Sequence, residues 1–160
     1  MADIKIKWDT LLFQGDLNVL KGDIKNDNGL ETAVLISLFT DQRANNDDEL
    51  PDLNSDDRRG WWGDLISPDV EDDKIGSRLW LHIERAKTTE NLLPTIKQDI
   101  NDALQWMIDD KIAQKINVNL ERQGIPGNDR LAFVVEILKR DGNKEVFDFN
   151  NLWENQLNAI

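Results

Sequence analysis

The chain has 160 residues, no cysteine and 31 acidic against 19 basic residues, which makes a net charge of −12. This length fits one domain, and the composition excludes disulfide scaffolds, cysteine-ligated zinc or iron–sulfur sites and thiol catalysis. The negative charge argues against a protein that binds nucleic acid, and the apolar segments are too short for a secretory signal or a membrane span.

The first 28 residues have the pattern of short strands. Apolar side chains alternate with polar ones in residues 4–8 and again in residues 17–21, which is the two-residue period of a half-buried strand. Turn-forming residues at positions 14–16 and 26–29 separate and end these segments. We therefore expect N-terminal strands joined by turns in residues 1–28.

The apolar run in residues 30–39 fits either a buried strand or a buried helix, and its periodicity does not decide between them. We favour a helix because the run is longer than a usual strand. In addition, Asn28 is a good N-cap residue and Glu31 follows it three positions later, as in a capping box.

A long acidic loop is expected in residues 41–75, which are polar and contain several prolines and glycines. Trp61 and Trp62 lie side by side in its middle, between two glycines. Two adjacent exposed tryptophans would be an apolar liability, so we expect the loop to dock on the protein itself or on a partner. Arg58 and Arg59 could pair with carboxylates on either surface.

Helical periodicity begins after residue 76. Residues 79–83 have the spacing of one helix face, and apolar side chains at three- and four-residue steps predict a longer amphipathic helix over residues 88–107, capped by one of two threonines. Trp80 and Trp106 lie on these apolar faces, so we expect both indoles in the core.

The C-terminal half reads mainly as antiparallel strands. Apolar and polar residues alternate in residues 116–121 and 131–138, with a loop expected at residues 123–128 between them. An Asp-Gly hairpin turn is expected at residues 140–143, followed by an apolar strand at residues 146–149.

Together these elements predict an α+β fold. We expect a small two-layer domain with one long amphipathic helix, one or two shorter helices and a mainly antiparallel sheet, plus the acidic loop. Residues 1–160 would form a single domain, divided into the N-terminal strands of residues 1–28, the loop of residues 41–75 and a helix-plus-β core in residues 76–160. The apolar tail around Trp153 is expected to dock on this core.

Candidate catalytic acids are easy to find and carry little information in so acidic a chain. Glu31, Glu84 and Glu90 could each serve in a carboxylate pair of the kind that glycosidases use, but solvated surface acids are the simpler interpretation. The dense acids in residues 47–49 and 69–73 do not follow the calcium-loop pattern. We therefore expect no metal site.

The one histidine, His82, would have to serve any Ser-His-Asp constellation, and no serine has the flanking glycines of a nucleophile elbow. We expect His82 on a helix surface. The glycines around the tryptophan pair also lack the spacing of a phosphate-binding loop. The residues thus favour an interaction module over an enzyme, with no catalytic residue and no cofactor.

Three segments resemble a known family. Residues 29–41, 58–64 and 76–81 look like the small baseplate protein of Mu-like contractile-tailed phages and prophages, and the Arg-Gly-Trp-Trp-Gly-Asp string is the most specific part. Residues 103–107 and the β-rich end are similar too. The resemblance covers nearly the whole chain.

The resemblance implies a structural role in a virion tail baseplate that assembles in the host cytoplasm. The family is similar to the wider class of baseplate wedge proteins, once labelled lysozyme-like, that initiate the sheath. Its members are arranged with sixfold symmetry and contact wedge, hub and sheath proteins, without nucleic acid or membrane. Sheath strands would add to an exposed sheet edge, for which the candidates are the segments 115–120, 131–138 and 146–149.

The chain departs from the wider class in one motif, and two alternative functions remain open. The wider class carries a Glu-Pro-Arg motif after the long helix, whereas this chain has residues 106–111 there without that motif. The alternatives are a tail-associated peptidoglycan hydrolase, with Glu84 as its acid, and an assembly chaperone absent from the mature particle. The candidate interaction residues are Arg58, Arg59, Gly60, Trp61, Trp62, Gly63, Asp64, Arg78, Trp80, Val146, Phe147, Phe149 and Trp153.

Overall fold

A computed structural model describes residues 3–9, 14–24, 26–27, 29–52, 54–66, 74–83, 92–125 and 128–149. These residues form helices and antiparallel sheets, which confirms the predicted α+β class. No helix in this part of the chain has the length and hydrophobicity that crossing a bilayer requires.

Within the described residues, six short strands precede the first helix, as the alternating pattern predicts. They form three antiparallel pairs: β1 (Asp3–Ile4) with β6 (Asn26–Asp27), β2 (Ile6–Asp9) with β3 (Gln14–Leu17), and β4 (Val19–Leu20) with β5 (Asp23–Ile24). The turn expected at residues 14–16 is wrong, because these positions pair with β2. Of the turn expected at residues 26–29, positions 26–27 pair with β1 instead, while Gly29 lies in a bend before α1. Pairing with a facing strand satisfies the backbone of the paired residues, and this outweighs their local turn preference.

Helix α1 (Glu31–Phe39) confirms the helical interpretation of the apolar run. The expected capping box is wrong, because Leu30 is the N-cap residue and makes no side-chain cap bond. Glu31 forms an ion pair with Lys5 instead. Thr32 Oγ accepts a 3.1 Å hydrogen bond from the Ile6 amide, so side chains of the first helical turn join α1 to the N-terminal strands.

The second helical region is divided at Gln105, where the sequence predicts one continuous helix. Helix α2 (Trp80–Ile83) is a single turn, α3 (Leu93–Leu104) begins with Pro94 in its first turn, and α4 (Trp106–Asp109) follows after a break at Gln105. At the break, the Gln105 amide donates to the Asp102 carbonyl, three residues earlier. The expected threonine caps lie in residues 84–91, outside the described residues.

The main sheet is an antiparallel meander in the order β7-β8-β9, formed by β7 (Ala113–Ile125), β8 (Asn128–Lys139) and β9 (Lys144–Asp148). The loop expected at residues 123–128 is mostly wrong, because β7 and β8 remain paired as far as the partners Ile125 and Asn128. The hairpin turn expected at residues 140–143 joins β8 to β9 as predicted, and we call it the second hairpin turn. Gly142 supplies its positive φ of +86°.

The core lies between the helices and one face of the main sheet, in agreement with the expected two layers. Alternate residues of β8 are fully buried, and Phe149 places its ring 4.9 Å from Phe133 and edge-on to Phe39 at 5.6 Å. The largest fully buried side chains are Val34, Leu38, Leu79, Ile96, Ile100, Leu104, Met107, Leu131, Phe133, Val135 and Ile137.

The two tryptophans that we expected in the core differ. Trp80 is 5% exposed and packs in a second, smaller apolar cluster with Ala44 and Leu81. Trp106 is 37% exposed, and its indole N–H donates to Ser37 Oγ at 3.0 Å. The core assignment of Trp106 is therefore wrong. The amphipathic stripe ends with α3, so the indole lies at the rim of the helical layer and keeps its N–H bonded.

Candidate interaction surface

Residues 41–66 are bonded to the fold near their start, and a second bond within the segment brings residues 44 and 58 together. The Gln42 amide donates to the Ser77 carbonyl at 3.0 Å, and the Ala44 amide donates to the Arg58 carbonyl at 2.9 Å. The described residues between Ala44 and Arg58 form turns and bends and no strand or α-helix. A 3-10 helix (Trp62–Leu65) follows them. We call residues 58–66, which contain the Arg-Gly-Trp-Trp-Gly-Asp string, the tryptophan loop.

Arg58 organises the segment that precedes the tryptophan loop. Its guanidinium donates to the backbone carbonyl of Asn45, and it donates to the carbonyl of Asn46 at 3.0 Å. We expected a carboxylate partner, whereas the structure gives Arg58 carbonyl partners. Arg58 therefore holds the shape of residues 45–48 from within.

Arg59 anchors the tryptophan loop through Trp80. Its guanidinium lies 4.4 Å from the centroid of the Trp80 ring and forms a 2.9 Å ion pair with Asp41. The Trp80 indole N–H in turn donates to the Gln42 carbonyl at 2.9 Å. Stacking of a guanidinium on a buried indole is favourable, and here it joins two of the sequence segments that carry the resemblance.

The two glycines around the tryptophan pair have different structural reasons. Gly60 has a φ of +110°, and a Cβ at this position would lie 2.8 Å from Arg43 Cβ. At Gly63, a Cβ would lie 2.0 Å from the Trp61 ring, so this ring rests on the backbone of Gly63. The Trp61 and Trp62 ring centroids are 5.4 Å apart. The sequence Gly-Trp-Trp-Gly therefore describes a compact local packing unit.

This unit leaves large apolar side chains in solvent. Trp62 is 69% exposed, Leu65 82% and Ile66 61%, while Trp61 is 37% exposed. Of the two docking alternatives, intramolecular packing accounts for Arg58, Arg59 and part of Trp61. It leaves Trp62, Leu65 and Ile66 uncovered, and contiguous exposed apolar side chains of this kind are typical of interaction sites.

Arg78 connects the same region to helix α3. Its guanidinium contacts Asp99 at 2.6 Å and Asp48 at 3.5 Å. Burial by itself would lower the pKa of Arg78, but the attraction and hydrogen bond of Asp99, with help from Asp48 and Asp102, raise it. Arg78 thus stays charged and links Asp48, in the segment of residues 45–48, to Asp99 on helix α3.

His82 is buried, so its expected place on a helix surface is wrong. It is 6% exposed and its Nε2 lies 2.8 Å from Asp99, which is 4% exposed. Sequence analysis missed Asp99. A signal was available, because Asp99 lies between Ile96 and Ile100 on the buried face of α3, where a carboxylate needs a partner.

The candidates on the C-terminal strand divide by face. Val146 is 55% exposed, whereas Phe147 is half-buried and Phe149 is 8% exposed and belongs to the core. Strand alternation explains this difference. Phe149 therefore stabilises the fold, and Val146 is the exposed candidate of the three. Trp153 lies outside the described residues.

Few of the proposed acids and metal positions lie in the part of the chain that the structure describes. Glu31 is paired with Lys5, and Glu84 and Glu90 lie outside the described residues. Where the structure describes the chain, no three His, Asp or Glu side chains come together in a group that could hold a metal.

Comparisons with known proteins identify the family. The sequence profile of the phage protein GP46 family matches residues 30–144. The baseplate protein gp46 of Escherichia phage Mu is 43% identical over 122 residues, which are 76% of this chain and 79% of that protein. The Mu-like prophage FluMu protein gp46 of Haemophilus influenzae is 29% identical over 153 residues, 96% of this chain and 98% of that protein. The resemblance is confirmed: the chain belongs to the phage protein GP46 family.

Proposed function

We propose that this protein is a structural component of a contractile phage tail baseplate, assembled in the host cytoplasm and retained in the virion tail. Its relative from phage Mu is named as a baseplate protein. The observation that carries the proposal is the exposed apolar surface of Trp62, Leu65 and Ile66 on a loop that Arg59 and Trp80 hold in place. A rigidly presented apolar surface suits a subunit that works through contacts with other proteins.

The tryptophan loop is the proposed contact with the wedge and hub of the baseplate. Trp62 is the side chain most suited to act as an anchor, because tryptophan concentrates binding energy at interfaces and this one is 69% exposed. Arg58, Arg59 and Trp80 are proposed as residues that hold the loop, since their hydrogen-bonding or stacking capacity is used within the chain.

A sheet edge is the proposed contact with the first ring of the tail sheath. In the order β7-β8-β9, the segment 134–138 of β8 pairs with a strand on each side, so this part of the candidate 131–138 is wrong as an acceptor of an added strand. Within the described residues, β7 has a strand on one side alone, and its 13 residues make it the longest strand. We propose that β7 pairs with sheath strands, in a sixfold arrangement around the hub.

A premature stop codon in the gene tests the structural role. We expect electron micrographs to show heads without sheathed tails, because neither the baseplate nor the first sheath ring would form. Morphologically normal tails that fail to infect would instead favour a cell-wall hydrolase. A separate measurement tests the chaperone alternative. If mass spectrometry finds no copy of the protein in purified particles of the parent phage, an assembly chaperone would be favoured.

The substitution Trp62→Ala tests the loop without deleting the protein. We expect it to reduce the yield of sheathed particles while the purified variant keeps the melting temperature of the parent, because the side chain is exposed. Val19→Ala is the control, because Val19 in β4 is an exposed apolar residue outside the candidate interaction residues. Full assembly with Trp62→Ala would remove the loop from the proposal.

A photo-crosslinking amino acid tests the sheet edge in intact particles. Placed at Asn119 in β7, it should capture the sheath subunit, whereas at Asp141 in the second hairpin turn it should not. Capture from Asp141 alone would place the sheath at the hairpin turn and contradict the edge proposal.

A further inference from the structure

We propose that the tryptophan loop forms one wall of a docking site for an acidic side chain of a partner protein, with a neighbouring aliphatic side chain of the same partner packed against Trp61 and Leu65. The site is an open hollow of about 330 Å³, which we call the cationic hollow. This inference rests on the proposed function and deepens it, since it names the chemistry of the partner, but its test uses the purified protein and synthetic peptides rather than phage particles.

The charge of the lining carries the first part of the argument. Arg43, Arg59 and Lys74 line the cationic hollow, and Asp64 is the acidic residue among its lining side chains. The Asp64 carboxylate accepts the amide N–H of Ile75 at 3.4 Å, which partly satisfies it. The described residues that line the hollow are therefore positive in sum, within a chain whose net charge is −12.

The ion pair of Arg59 does not reverse this balance. Asp41, its partner at 2.9 Å, does not line the hollow. Counting Asp41 nonetheless leaves three cations against two acids among the described residues that line the hollow or form a described ion pair with its lining. A carboxylate is the complementary group, since charge-assisted hydrogen bonds from guanidinium and ammonium groups are about twice as strong as neutral ones.

Two of the cations are placed for an incoming group. Arg59 is held by the Trp80 ring and Asp41, so it supplies a fixed charge. Arg43 is exposed and is oriented by a 3.3 Å hydrogen bond to the Arg59 carbonyl, and Lys74 is exposed. Arg43 and Lys74 are therefore the proposed donors to the partner's carboxylate.

The apolar wall indicates what lies beside that carboxylate. Trp61 and Leu65 line the hollow, and Leu65 is 82% exposed. A neighbouring hollow of about 260 Å³ shares Arg43 and Lys74 but has no apolar lining residue, and its acids include the buried Asp99 that Arg78 already pairs with. Of these two hollows, the cationic hollow is the one that combines cations with an exposed leucine and an indole, and this combination fits an acidic residue next to an aliphatic one.

A peptide titration tests this inference. The isotope-labelled full chain is titrated with an acetylated, amidated Leu-Glu-Leu-Glu-Leu peptide, and separately with its Gln-substituted counterpart. We expect the acidic peptide to shift the resonances of the Trp61 indole and of the Gly60 and Leu65 amides, and to bind about tenfold more tightly than the neutral peptide. Raising the salt concentration should weaken this preference, because the charges are exposed.

Variants locate the contact. Lys74→Gln and Arg43→Gln should each weaken binding of the acidic peptide several-fold and leave binding of the neutral peptide unchanged. Arg140→Gln, on an exposed arginine of the second hairpin turn, should change neither affinity. Arg43→Gln also removes the hydrogen bond from Arg43 to the Arg59 carbonyl and so could disturb the loop itself. Lys74→Gln removes a charge without breaking this bond, so it tests the inference independently.

Equal affinity for the two peptides, or shifts confined to residues outside the cationic hollow, would overturn the inference. So would the absence of any shift at millimolar peptide. None of these results would alter the outcome expected from the stop codon, so failure of this inference is distinguishable from failure of the proposed baseplate role.

Discussion

His82 Nε2 lies 2.8 Å from Asp99 Oδ2, and both side chains are buried. The second oxygen of the same carboxylate lies 2.6 Å from Arg78, which also reaches Asp48 at 3.5 Å. The buried Asp99 carboxylate on α3 thus contacts His82 of α2 directly, and through Arg78 it is linked to the segment of residues 45–48 that precedes the tryptophan loop. This arrangement makes Asp99 a structural centre of the surface that we propose for assembly.

Asp99→Ala should lower the free energy of unfolding by about 3 kcal/mol, because it leaves the buried His82 Nε2 without its carboxylate and leaves Arg78 with Asp48 as its ion-pair partner. Urea denaturation followed by fluorescence measures the change. Asp102→Ala is the matched control, since Asp102 is an exposed acid on the same helix. Equal stability losses in the two variants would show that the buried carboxylate has no special role.

Trp80→Phe should cost about 1–2 kcal/mol, because phenylalanine cannot donate to the Gln42 carbonyl and offers a weaker face to Arg59. Limited proteolysis should also cut the tryptophan loop faster in this variant. Trp62→Phe should change stability by less than about 0.5 kcal/mol. A loop that is equally protected in both variants would argue against Trp80 as its anchor.

Gly60→Ala should destabilise more than Gly142→Ala. Both glycines have positive φ, at +110° and +86°, so alanine is strained at either position. A Cβ at Gly60 would also press against Arg43, whereas nothing lies within 4 Å of one at Gly142. We expect a difference of about 1 kcal/mol or more in thermal or chemical denaturation. Equal losses would mean that Arg43 moves aside without cost.

Glu136 should titrate below its ordinary pKa of 4.5, because the hydrogen bond from Lys144 at 2.6 Å lowers the pKa of its carboxyl. A carboxyl whose pKa is depressed in the folded state stabilises the fold above its unfolded pKa, and this contribution is lost as the pH falls through the folded pKa. Carboxyl-detected NMR titration of the parent and of Lys144→Gln measures the effect. The variant should show a higher pKa for Glu136, and an unchanged pKa would contradict the assignment of Lys144 as the cause.

Patterns of short range were enough to predict much of the architecture. The alternation in residues 116–121 and 131–138 predicted two strands, and the Asp-Gly pair predicted the turn between β8 and β9. These features depend on each residue's own preference for burial and for a backbone conformation, and such preferences can be recognised from the order of neighbouring residues in the sequence. The motif string likewise marked the tryptophan loop and led to the family.

Contacts between distant segments decided the rest. The burial of His82 depends on Asp99, which lies 17 residues later, and Arg59 contacts Trp80, which is also distant from it in the sequence. Pairing across strands overrode the turn preference of residues 14–16, and Leu30 replaced Asn28 as the helix cap. A polar side chain becomes buried, or a turn-forming residue joins a strand, when another part of the chain supplies its missing hydrogen bonds, and that partner is chosen by packing in three dimensions.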